Sequence, residues 1–304
     1  MTAPFETITT HDMQIRYQVT PATTTQRGRV MVLPGFTEFI EKHQDQIDRF
    51  AAMGLEVLCL DWPSQGLSQR LSPNFPKLVH CDDFSQHLSA LDAVMAASGF
   101  HDGDQPLLVF GHSMGGHLAL RHAYTNPKVS ALMLCAPMVM PPLKPGGLMR
   151  FLLDVVCSLG LAKRPLFFRQ DDLIKRQFHP NNVLTRDADG YQVQFNLFTQ
   201  NPELQVTGPS FGWARAAYHS CMAFSANPDV LAAIKIPVSV HLAGDERVVD
   251  GNASAFFLRH LSRGVIHLYP EARHELMLEL PAVRSLVWQR LEDFVNGQLR
   301  SAGH

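Results

Sequence analysis

The sequence has no run of about 18 or more uncharged apolar residues, which argues against a membrane span. The closest approach, Phe151 to Ala162, is too short and carries Asp154. No excess of charge of one sign is present either. Its 26 Lys and Arg against 28 Asp and Glu leave a formal net charge of −2, too little to gather phosphates, so nucleic acid is not an expected partner. Cysteine is sparse and unpatterned. The five, Cys59, Cys81, Cys135, Cys157 and Cys221, have neither metal-ligand spacing nor a disulfide framework, and a reducing cytoplasm fits best. The start, Met1-Thr2-Ala3-Pro4, lacks a basic segment leading into an apolar one, so no signal peptide is expected. No repeat or low-complexity tract appears.

What is present is an ordinary globular balance, 46% hydrophobic and 18% charged, in a chain of 304 residues. Short apolar runs alternate with helix-length amphipathic stretches. Arg29 to Pro34, Leu55 to Leu60, Leu107 to Phe110 and Ala131 to Ala136 read as strands. Ile47 to Met53, Phe84 to Ala97 and Met114 to Tyr124 read as helices between them. Nearly continuous apolar strands separated by helices imply an α/β fold with a mostly parallel central sheet covered on both faces. The rhythm breaks near Met140 and resumes with a strand at Val238 to Ala243, a helix at Ala253 to Leu261, a strand at Val265 to Tyr269 and a closing helix at Ala282 to Val295. The expected organisation is therefore a core in two parts, 1–140 and 229–304, with a mainly helical lid inserted at 141–228. Such a lid would cover the carboxyl ends of the strands, where open α/β sheets bind their ligands.

Gly111-His112-Ser113-Met114-Gly115, followed by Gly116, matches G-x-S-x-G. The strand before it and the helix-compatible HLALRHAY after it supply the strand–turn–helix context of a nucleophile elbow. Ser113 should then have a positive φ, and Gly111, Gly115 and Gly116 should be small because helix and strand nearly touch. A serine hydroxyl needs a base held by an acid, in the chain order Ser, Asp or Glu, His. His274 follows the strand Val265 to Tyr269 and is the expected base. Asp245, directly after Gly244 and nearest the end of the strand Val238 to Ala243, is the expected acid, with Glu246 as the main alternative and Asp250 close by. The oxyanion of an acyl transfer would be held by the backbone N–H of Met114 and by that of Phe36, in the Pro34-Gly35-Phe36-Thr37-Glu38 loop after an early strand.

With these residues in view, the chain resembles the α/β-hydrolase superfamily, and within it the bacterial lysophospholipase and monoacylglycerol lipase group. The matching segments are PGFTE, DWPSQGLS at Asp61 to Ser68, GHSMGG, GDERVVD and Arg273-His274-Glu275. Gly208-Pro209-Ser210-Phe211-Gly212-Trp213 is similar to the lysophospholipase branch. The chain departs from a common family pattern, Asp-x-Arg-Gly-x-Gly-x-Ser, where Pro63 and Ser64 stand. The resemblance implies the α/β-hydrolase fold, no metal and no organic cofactor.

The expected activity is ester hydrolysis through an acyl-enzyme, on a single-chain lipid ester such as a lysophospholipid or a monoacylglycerol. Leu148, Phe151 and Leu152 of the apolar lid stretch, with Gly35, Met138, Met140 and Phe167-Phe168, would line its acyl pocket. The same stretch is a candidate for transient contact with the inner membrane face. The rival readings are a general carboxylesterase, thioesterase or peptidase of the same fold, or a catalytically silent binding protein.

Overall fold

The apolar runs stand side by side in the middle of one twisted sheet. The computed structural model describes residues 3–100, 102–141, 147–166 and 176–301. Its main strands are β1 (Phe5–Thr10), β2 (Met13–Thr20), β3 (Gly28–Leu33), β4 (Leu55–Leu60), β6 (Leu107–His112), β7 (Val129–Cys135), β9 (Val238–Ala243) and β10 (Gly264–Tyr269), and a short parallel pair is formed by β5 (Leu78–Val79) and β8 (Gly208–Pro209). The sheet order is β1-β2-β4-β3-β6-β7-β9-β10. Pairing is antiparallel for β1 with β2 and β2 with β4, and parallel elsewhere.

Strands β6 and β9 are buried along their whole length, which is why both read as unbroken apolar stretches. Alternate residues serve opposite faces. Val109 and Leu132 join one core, under α2 (Ser85–Ala97) and α3 (Met114–Thr125), while Phe110 and Met133 join the other, under α1 (Gln44–Ala52) and α9 (Pro281–Ser301). The fold is that of an α/β hydrolase.

The N-terminal hairpin escapes a sequence reading. His11 and Asp12 both turn through positive φ, 46° and 60°, without the glycine or asparagine that usually marks such a turn.

Between β7 and β9 the chain is mainly helical, with α4 (Gly147–Val156), α5 (Ala188–Gln200), α6 (Phe211–Ala223) and α7 (Pro228–Ala233). Helix α4 ends as a regular helix at Val156, and the chain continues as a wider turn, broken at Gly160 with φ 80°. Helix α7 returns to the flank of the sheet, with Leu231 in the core. Helix α8 (Gly251–Phe257) lies between β9 and β10. Among the described residues no helix is long and apolar enough to cross a membrane.

Candidate active site

Ser113 joins β6 to α3 and has φ 51° and ψ −117°, the strained turn expected of an elbow. The strain is held in place by its backbone, since its N–H donates to Cys135 O at 3.0 Å and its carbonyl accepts from Met138 N at 2.9 Å. A Cβ at Gly115 would stand 1.9 Å from Leu33 O, so helix and strand approach as closely as only glycine permits. Met114 opens α3, and a first-turn N–H has no partner within its own helix.

His274 follows β10 and is buried. Its Nδ1 lies 3.0 and 2.9 Å from the two carboxylate oxygens of Glu246, and as N–H it donates to them. Asp245, the expected acid, is not at the histidine. Its carboxylate is drawn outward by Arg247 at 2.7 Å, Arg186 at 3.0 Å and Arg273 at 3.3 Å. One residue decides the difference, because successive side chains leave the turn after β9 in different directions.

Glu246 is held as an anion. Burial pushes its carboxyl up, but His274 and the amides of Val248 and Val249, at 2.8 and 3.2 Å, pull it below the usual carboxylate range. Asp245 is also lowered, first by the hydrogen bonds from Arg247.

The loop after β3 wraps the other side of Ser113. Gly35 is so close that an added Cβ would lie 3.1 Å from Ser113 Cβ. Its N–H donates to Glu38 Oε2, and Glu38 also takes Lys42 Nζ at 2.6 Å, His43 Nε2 at 2.9 Å and His112 Nδ1 at 3.0 Å. Lys42 bridges on to Glu275 at 2.7 Å. Among the described residues the Phe36 N–H has no acceptor, whereas the N–H groups on either side of it do.

Burial would raise Glu38, yet the charges of His112, Lys42 and His43 hold it well below the ordinary range. Burial would lower His112, yet Glu38 and Glu275 push it up to about 9. Glu38, His112 and Glu275 lie close enough to share a cation. The Lys42 ammonium already stands between the two carboxylates, which suits a closed salt-bridge cluster better than a metal centre.

Ser113 and His274 line one cavity of about 370 Å³, whose wall is mainly apolar and includes Phe36, Met138, Phe195, Val206 and Trp213. Of the expected pocket residues Met138 lines it and Gly35 borders Ser113. The others do not. Met140 is packed into the core, while Leu148, Phe151 and Leu152 point to solvent, Leu148 72% exposed. Helix α4 buries Leu153 instead, so its opposite face is left outward. Phe167 and Phe168 lie outside the described residues.

Glu38, Lys42 and Glu275 carry little signal in the sequence as parts of a site. A Glu–Lys pair four apart ordinarily marks an exposed helix face. The Gly208 to Trp213 segment becomes intelligible here. Gly208–Pro209 pairs with Leu78–Val79, Ser210 caps α6 through Trp213 N at 3.0 Å, and Trp213 packs on Phe36 with ring centroids 4.3 Å apart.

Comparison with known proteins agrees with this fold. Residues 24–281 match the Hydrolase_4 family model, described as serine aminopeptidase, S33. Lysophospholipase L2 of Escherichia coli is 26% identical over 306 residues, spanning 90% of this chain and 82% of that protein. A thermostable carboxyl esterase from Bacillus coagulans superposes with a TM-score of 0.78 at 18% identity, covering 98% of this chain and 99% of its own. Monoglyceride lipase from Saccharomyces cerevisiae gives 0.75 at 19%, covering 98% and 96%. At such identities the two structures speak for the fold. The family match spans most of the sequence, and the chain belongs to the Hydrolase_4 family of α/β hydrolases, in the group that holds the lysophospholipases and monoacylglycerol lipases.

Proposed function

We propose that this protein is a serine esterase acting on single-chain lipid esters, lysophospholipids or monoacylglycerols, through Ser113, His274 and Glu246. One observation carries the reading: a serine at positive φ and a histidine held by a buried carboxylate share the wall of one largely apolar cavity. The names of the relatives in E. coli and Mycolicibacterium smegmatis, a lysophospholipase and a monoacylglycerol lipase, point the same way.

In the mechanism Nδ1 of His274 stays bonded to Glu246, leaving Nε2 to take the Ser113 hydroxyl proton. Oγ attacks the ester carbonyl, and the oxyanion is received by the N–H groups of Phe36 and Met114. The tetrahedral intermediate collapses as His274 returns the proton to the leaving alcohol. Water then repeats the sequence on the acyl-enzyme, releasing the fatty acid and restoring Ser113. Glu246 orients the imidazole and stabilises its charged form. The apolar wall suits an acyl chain, and no step requires a metal or organic cofactor.

The lid is proposed to comprise the helical segment between β7 and β9. Its outward residues Leu148, Phe151 and Leu152 fit transient contact with a lipid surface at the inner membrane.

The decisive test is Ser113→Ala with p-nitrophenyl butyrate and lysophosphatidylcholine. The variant is expected to fold, to lose nearly all turnover, and to escape labelling by a fluorophosphonate probe that marks the native protein. More than a few per cent of residual turnover would remove Ser113 from its role. A panel of lysophospholipids, monoacylglycerols, short esters, thioesters and aminoacyl amides ranks the substrate classes.

A further inference from the structure

The Asp61 to Ser68 segment departs from the common family pattern at Pro63 and Ser64. The next residue, Gln65, stands at an open position of that pattern and lies against the oxyanion loop. We infer that Gln65 is a positioning residue whose side-chain amide holds the Phe36 N–H in its oxyanion-binding orientation. The inference rests on the serine-esterase reading above and adds to it a residue that touches no substrate.

Gln65 is fully buried. Its Oε1 accepts from Thr37 N at 2.7 Å, and its Nε2 donates to Gly35 O at 3.1 Å. The two bonds straddle Phe36, much as a neighbouring strand would grip alternate backbone groups. The direction of the amide is fixed by chemistry, because a backbone N–H can only donate and a carbonyl can only accept. An indole-to-backbone bond, from Trp62 Nε1 to Pro34 O at 2.8 Å, ties the start of the same loop.

The grip opposes a real strain. Thr37 has φ 65°, a region that β-branched residues rarely enter. Without the clamp, Thr37 can relax toward negative φ, and that rotation turns the preceding peptide groups together with the Phe36 N–H. Gln65 is itself set by a rigid turn. Ser64 and Gly66 have φ 67° and 50°, Gln65 N donates to Trp62 O at 2.9 Å, and Leu67 N donates to the buried Asp61 carboxylate at 2.8 Å. The same Asp61 takes Ile40 N at 2.9 Å, beyond the far end of the oxyanion loop. Trp213, from the other lysophospholipase-like segment, braces the Phe36 ring. Two sequence segments with no catalytic group thus converge on one oxyanion donor.

A donor held out of place should lower transition-state binding and leave ground-state binding alone. Gln65→Met keeps the volume and removes both bonds. Gln65→Glu keeps the acceptor for Thr37 N–H and sets a carboxylate oxygen against Gly35 O. The folding control is Ser68→Ala, whose hydroxyl bonds Arg16 N and Asp61 O on the other side of the same turn. Wild-type turnover of p-nitrophenyl butyrate is measured first, because its absence would overturn the esterase reading itself.

Given wild-type turnover, both Gln65 variants should lose about 10- to 100-fold in kcat, with KM within about 3-fold. The affinity of an alkyl trifluoromethyl ketone, which forms an oxyanion on Ser113, should fall in parallel. Ser68→Ala should lower Tm while retaining kcat. If Gln65→Met does not fold, the isosteric Gln65→Glu carries the test. A folded Gln65 variant with kcat within about 2-fold of wild type, or one whose ketone affinity is unchanged, overturns the inference while leaving the esterase reading intact.

Discussion

The acid of the site turns on a single residue. Asp245 and Glu246 are adjacent, yet the first faces the exposed Arg186 and Arg247 and the buried Arg273, and the second faces His274. Glu246→Gln should therefore lower kcat by about 10³- to 10⁴-fold, since a neutral amide neither fixes the imidazole tautomer nor stabilises its cation. Asp245→Asn should change kcat by less than about 3-fold, because it loses only partly exposed ion pairs. Steady-state kinetics on one soluble ester measure both, and a larger loss for Asp245→Asn than for Glu246→Gln would reverse the assignment. The reason the sequence points to Asp245 is physical. Strand ends place Ser113 and His274 through punctuation that needs no finer resolution, whereas the acid needs single-residue accuracy in an irregular turn. The finer clues are Arg247 and Arg273, which compete for Asp245, and Val248-Val249, whose amides cap Glu246.

At the scale of elements, legibility follows burial. Strands β3, β4, β6, β7 and β9 read as apolar runs because parallel strands inside the sheet are covered on both faces. Strand β10, at the sheet edge, is apolar although Val265, Ile266 and Leu268 are exposed. The β1–β2 hairpin does not, since half of its residues are polar and its turn has no glycine. Helix α4 is legible as a helix but not in its orientation. A helix apolar on nearly every side can bury either face, and this one buries Leu153 while exposing Leu148, Phe151 and Leu152, with Leu159 70% exposed just beyond. So many large apolar side chains in water form a patch of the sort that monomeric proteins seldom leave without a use. A Leu148→Asp/Phe151→Asp pair should release the protein from vesicles of phosphatidylethanolamine and phosphatidylglycerol in a sedimentation assay. Turnover of monomeric p-nitrophenyl butyrate should stay the same, because neither residue reaches the cavity. Equal sedimentation of variant and wild type would leave the patch without this role.

Across the whole molecule, the buried cluster in the wall of the site joins segments 233 residues apart, as the Lys42–Glu275 bond shows. The Glu38 and Glu275 carboxylates face the Lys42 ammonium and the rings of His112 and His43, and His112 lies within reach of both carboxylates. Burial alone would strip the proton from His112, but Glu38 and Glu275 raise the folded-state pKa to about 9. A group raised on folding contributes stability that is complete below its unfolded pKa, about 6.5, and is lost as pH rises through the folded value. Three other buried histidines work in the opposite sense. Burial, aided by nearby cationic groups, pushes His87, His117 and His241 down to about 3, so the unfolded chain binds more protons between pH 3 and 6.5. Stability therefore rises with pH across that lower window and falls across the upper one, placing the maximum near pH 6.5. The alkaline loss should reach a few kcal/mol by about pH 9.5, because each pH step of one between the unfolded and folded pKa values costs about 1.4 kcal/mol. Urea unfolding from pH 5 to 10 measures both limbs. His112→Gln should be less stable at pH 6.5 and nearly flat from there to about pH 8, above which the buried cysteines, raised by burial, add a loss common to both proteins. A limb from about pH 6.5 to 8 as steep as that of the wild type would show that His112 does not supply it.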